Sequence, residues 1–130
     1  MGNDSFGKLL LRLSLGIMIL LHGIAKVMHP GSIGFIKTRL ADNGLPELLV
    51  YGVYAGEILA PVLIILGLFT RFGGLLIAVN MVFAIALAHS VELFLLTKHG
   101  GWALELQGMY LFGGLALAFM GSGRFAVRPD

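Results

Sequence analysis

The sequence contains no cysteine. That removes thiol redox chemistry, disulfides and thiolate metal ligands together. Charge is also scarce: 12% of the 130 residues are charged, with a formal net charge of +2. The few cations sit at the ends of apolar runs rather than on one face, so nucleic acid is not expected as a partner. Gly-rich phosphate loops and Ser-His-Asp sets are missing. Bundle metal sites show Glu-x-x-His on two helices. Here only His89 and Glu92 come three apart, in reverse order. A metal held by His22, Glu57, His89 and Glu105 is the minor alternative. No two histidines can be argued to equal depth on facing helices, and no cofactor motif appears. Haem, flavin and metal are therefore all unexpected.

What the chain has is apolar length. Hydrophobic residues make up 58%, and the mean hydropathy is +0.93. Four runs stand out, at about 9–27, 46–69, 72–88 and 102–120. Each is close to the ~20 residues that cross ~30 Å of hydrocarbon as a helix. The pattern predicts an all-α fold: one domain over 1–130, an integral membrane four-helix bundle. Runs two and three are joined only by Thr70 and Arg71, which makes them antiparallel neighbours. Between runs one and two, Ile33, Ile36 and Leu40 share a face that Lys37 and Arg39 avoid. That spacing predicts a short interfacial helix, capped by Ser32 and ended by Asn43-Gly44. Lys8 and Arg12 precede the first run as they would in a signal peptide. The run nonetheless carries His22 and Lys26, and no A-x-A-type site follows, so a retained span is expected. Lys8, Arg12, Arg71, Arg124 and Arg128 fall on one side with few acids, whereas the other side mixes its cations with Asp42, Glu47 and Glu92. This asymmetry places both termini in the cytoplasm and the protein in the inner membrane.

Between Leu48 and Arg71 stands a single carboxylate, Glu57, about 15 Å from the second run's outer end at 1.5 Å per residue. A charge at the bilayer centre costs on the order of 2.5–3.5 kcal/mol on insertion scales. Glu57 must therefore face protein or water and needs a partner. Pro61 lacks an N–H, so the Glu57 carbonyl loses its helical donor at the same depth. His22 and Lys26, four apart on the first run, share a face. Pairing with Lys26 would keep both groups ionised, and pairing with His22 would make a proton-exchanging site. His89 ends run three and Glu105 begins run four on the same outer side, with Trp102 one turn before Glu105. Asn80 and His89 are half a turn out of phase, and Gln107 faces away from Glu105, so one of each pair at most lines a common site. Depth favours His89 and Glu105 and leaves Asn80 as a helix–helix hydrogen bond. The expected catalytic residues are Glu57, His22 and Lys26, and the expected ligand-binding residues are His89, Trp102 and Glu105. Plainer roles exist: Lys26 can snorkel to headgroups, Trp102 and His89 can anchor at the interface, and Glu105 can start its helix. Gly52 and Gly56 form a G-x-x-x-G that suits helix packing in the bundle first and a homodimer second.

These residues resemble the DoxX family of small four-helix membrane proteins. The first run, LLLRLSLGIMILLHGIAKV, is similar to the family pattern through Arg12, Gly16, Gly23 and Lys26. The second, GEILAPVLIILGLFTRFGGLL, is similar through Glu57, Gly67, Thr70 and Arg71. The end, MGSGRFAVR, matches a Gly-x-Gly-Arg close at Gly121, Gly123 and Arg124, but has Val127-Arg128 where Leu-Asp is usual. The resemblance implies a membrane redox role coupled to quinone, with a soluble or membrane redox partner. A quinone ring needs donors beside an apolar slot: His22 and Lys26 would bond its carbonyls, Glu57 would relay protons and Trp102 would stack. Two alternatives are a transporter of a small solute or protons, and a non-catalytic assembly protein in which Lys26 and Glu57 are a structural pair.

Overall fold

The computed structural model describes residues 2–29, 31–88 and 93–130. Five helices account for most of them: α1 (Gly2–Met28), α2 (Gly31–Asp42), α3 (Glu47–Leu66), α4 (Thr70–Ala88) and α5 (Glu105–Met120). Helices α1, α3 and α4 are long and apolar enough to cross a membrane, whereas α5 has 16 residues. The four longer helices pack in a ring, α1 on α3, α3 on α4, α4 on α5 and α5 on α1. Leu15, Ile19, Ile64, Ile77 and Leu117 fill the centre. The outer surface is the reverse of a soluble protein's. Ile17, Leu21, Leu59, Phe72, Val79, Phe83, Phe112 and Phe119 are all exposed, an apolar belt that only a lipid environment covers at this extent.

Several boundaries differ from the sequence expectation, each for a local reason. α3 stops at Leu66, because Gly67 turns left-handed at φ 78 and both its N–H and that of Leu68 donate to the Leu63 carbonyl. That is the double-bonded glycine stop common at helix ends. The α3–α4 turn is therefore Gly67–Phe69, and Thr70 and Arg71 already belong to α4. α5 begins at Glu105 rather than at Trp102, since Trp102 is bridged to Leu96 and its indole N–H donates to the Leu93 carbonyl. α2 lies over one end of α3 and α4, where Ile33 and Leu40 are buried with Val50. The expected cap at Ser32 concerns a side chain outside those described.

At the opposite end the chain is fastened by two arginines. Helix ends leave carbonyls without partners, and a guanidinium offers five donors. Arg12, buried to 1% exposure, donates to the carbonyls of Ile64 (2.8 Å), Ile65 (3.2 Å), Ser122 (3.1 Å) and Phe125 (2.6 Å). Arg71 donates to those of Phe119 (2.7 Å), Ala118 (3.3 Å) and Asp130 (3.0 Å). The segment after α5 is laid under α3 by Val127 and Arg128, whose N–H groups donate to Leu66 and Gly67. Between α4 and α5 the backbones nearly touch: a Cβ on Gly114 would lie 2.7 Å from the Gly74 carbonyl oxygen.

Candidate functional site

Pro61 decides the local shape of α3. Its missing N–H interrupts the ladder one turn above it, and the turn Ala55–Leu59 widens to a π-helical one, with the Ala60 N–H donating five residues back to Ala55. Such bulges re-aim side chains and recur at functional sites. Here the turn holds Glu57, and the Glu57 carbonyl is aimed at α1. Gly23 makes room for it, since a Cβ there would sit 2.2 Å from that oxygen.

The Glu57 side chain is buried at 5% exposure, and both its oxygens are engaged. Lys26 Nζ, from α1, donates to Oε1 at 2.5 Å. Asn80 Nδ2, from α4, donates to Oε2 at 3.1 Å. Three helices thus meet on one carboxylate. Between the two partners left open by the sequence, the structure pairs Glu57 with Lys26. A cleft of about 100 Å³ borders the pair, and His22, Met81, Gln107 and Tyr110 also line it. His22 stands at its edge, exposed, in an edge-on contact with Tyr110 at 5.8 Å between ring centres.

The structure brings together His22, Lys26 and Glu57. It does not bring the other expected residues to them. Glu105 is exposed and lines a separate hollow on the α1–α5 surface. Trp102 packs over Gly108, where its ring would lie 2.5 Å from an added Cβ. His89 lies outside the described residues. In their place stand Asn80 and Gln107, the members of each out-of-phase pair that depth had disfavoured. The physical reason is the level of Glu57. It draws its partners from mid-helix, whereas Glu105 and Trp102 mark the helix start. Tyr110 carried no signal in the sequence beyond lying three residues after Gln107 on the same helix. Below the cleft, Leu15, Ile64, Ile77 and Leu117 close the interior with apolar side chains. Among the described residues no cluster of His, Asp and Glu is placed to hold a metal.

A carboxylate fixed by an ammonium and an amide, beside an imidazole, a phenol and a second amide, can donate hydrogen bonds to a small polar ring and exchange protons with it. Comparison with known proteins agrees with the architecture. The family model described as DoxX matches residues 7–90. A protein of Bacillus subtilis (strain 168), named "Putative oxidoreductase CatD", is 34% identical over 130 residues, covering 98% of this chain and 90% of that protein. A Haemophilus influenzae protein named "Uncharacterized protein" is 35% identical over 123 residues, covering 90% of this chain and 84% of its own length. No solved structure matches.

Proposed function

The chain belongs to the DoxX family, and from that premise we propose that it is a quinone-interacting subunit of a membrane oxidoreductase. In this reading α5 is a fourth crossing, α2 lies in the outer interface, and the bundle sits in the inner membrane with both termini cytoplasmic. The observation that carries the reading is the Lys26–Glu57–Asn80 junction beside a cleft of about 100 Å³. That size admits a single ring, and the lining fits a quinone head: His22, Tyr110 and Gln107 offer donors, with Met81 and Ala84 as apolar wall. The relative named as an oxidoreductase supports the same class of activity.

When bound, the quinone supplies the two-electron, two-proton acceptor, and a partner protein or small reductant supplies the electrons. This chain's residues do the rest. Lys26 donates to Glu57 and holds the carboxylate at the cleft wall. His22, at the mouth, passes protons between the ring and the outer side through its two ring nitrogens. Asn80 fixes the carboxylate's rotation, so that it meets the ring rather than the lipid.

Lipid extraction and mass analysis of purified protein test this. Wild type is expected to retain quinone, and Glu57→Gln to retain several-fold less. If neither retains any, and added quinone does not protect against thermal unfolding, the reading fails. The transport alternative is disfavoured by the apolar plug of Ile64, Ile77 and Leu117 beneath the cleft. The assembly alternative draws on the completeness of the Lys26–Glu57 pair. It requires a charge-swapped double variant to restore folding with nothing else changed.

A further inference from the structure

A ring of four helices has four seams, and three are fastened. α1 and α3 are joined by Arg12, by the Lys26–Glu57 pair and by Gly23 against the Glu57 carbonyl. α3 and α4 are joined by a three-residue turn and by Asn80 on Glu57. α4 and α5 are held by the Gly74–Gly114 approach and by Arg71 on the last carbonyls of α5. Between α1 and α5 no hydrogen bond links the two helices among the described residues, and the tie is at one end, where Arg12 reaches Ser122 and Phe125 beyond α5. The contacts along the seam are Leu15 over Gly113 and the His22 edge on Tyr110.

Two hollows run along that seam. One of about 450 Å³ lies between Leu11–Met18 of α1 and Glu105–Gly113 of α5. The next, of about 300 Å³, lies between Met18–Ala25 and Tyr110. They share Met18 and Tyr110, and the second shares His22 and Tyr110 with the polar cleft. From Leu11 to Ala25 the path covers about 21 Å along α1 at 1.5 Å per residue. Its walls are apolar except for Ser14, whose hydroxyl already donates to the Leu10 carbonyl at 2.7 Å, Glu105, and His22 and Tyr110 where the path meets the cleft.

The geometry points to the α1–α5 seam as the lateral entrance to the Lys26–Glu57 cleft and as the groove that holds the long apolar tail of its ligand. The occupant is one amphiphile, an isoprenoid quinone, with its ring past His22 and Tyr110 and its tail along Met18. A cleft of about 100 Å³ holds a ring and no chain, so the tail must leave it. Among the described residues, the open seam is continuous with the cleft through His22 and Tyr110. The ring's identity rests on the function proposed above, whereas the groove rests on the packing alone.

The test uses the full chain in lipid nanodiscs, with a benzoquinone bearing a diazirine at the end of a long tail and a tailless benzoquinone as the ring-only probe. Photolabelling is expected to concentrate on peptides 11–25 and 105–113. Met18→Trp fills the junction of the hollows and should reduce that labelling at least five-fold. Val82→Trp, on the exposed face of α4, should leave it unchanged. The tailless ring should protect all three proteins equally against thermal unfolding, which also verifies that each variant folds. Uniform labelling of every lipid-facing helix, or labelling indifferent to Met18→Trp, overturns the groove even if the ring protects. Seam-specific labelling without ring protection supports the groove and overturns quinone as its ligand.

Discussion

Both oxygens of Glu57 are occupied, one by a charged donor and one by a neutral donor. Removing one partner of a buried pair leaves the other uncompensated, at a cost of about 3–5 kcal/mol. The Lys26 side chain keeps 23% exposure, so Glu57→Gln should fall at the low end of that range. The measurement is the denaturation midpoint in a fixed detergent. Combining it with Lys26→Met should recover most of the loss, because no lone charge remains. A double variant no more stable than Glu57→Gln would show that the ammonium was not the source of the cost. The pair was legible in the sequence because a lone mid-run carboxylate and a lysine four residues from a histidine leave few other partners. Asn80 was legible only as a donor between helices. Its target depended on the rotation of α4 against α3, which spacing within one helix does not contain.

The bend in α3 belongs to the element. Pro61 was readable as a lost hydrogen bond, but the widened turn it produces was not. The ladder could have healed by a kink or a water instead. Gly23 on the neighbouring helix decides the outcome, since it alone lets the freed carbonyl approach. Pro61→Ala returns an N–H to this turn and should let Ala55–Leu59 close to a regular helix. The carboxylate then rotates away from Lys26. The expected outcome is a protein that retains its helical circular dichroism and loses most of its quinone retention. Undiminished retention would show that the turn does not position Glu57. At the other end of the helix, Arg12→Lys exchanges a planar fork for a point donor. At least one buried carbonyl then loses its partner, at about 1–3 kcal/mol each. The same denaturation measurement should show a loss of about that size.

For the whole molecule, the all-α class and the three long apolar helices followed from hydrophobic length, and the lateral arrangement did not. The pairs Gly73-Gly74 and Gly113-Gly114 suit close helix packing, and Gly74 does meet Gly114, but nothing in the apolar spacing marks the seam beside Met18 as loose. Orientation is open to a clean measurement, because the chain has no native cysteine to mask. Single cysteines at Asn3 and Lys98, both exposed, should label with an impermeant maleimide from opposite sides of sealed vesicles. With the proposed orientation, Lys98→Cys reacts from the periplasmic face. Arg12 adds a temporal constraint. Two of its four acceptors, Ser122 and Phe125, are 110 and 113 residues further along the chain. During synthesis the first helix therefore enters the bilayer with a cation whose binding pocket has yet to be translated. Assembly of that end of the bundle is then a closing step, and a stalled nascent chain released before Ser122 should remain open to proteases there.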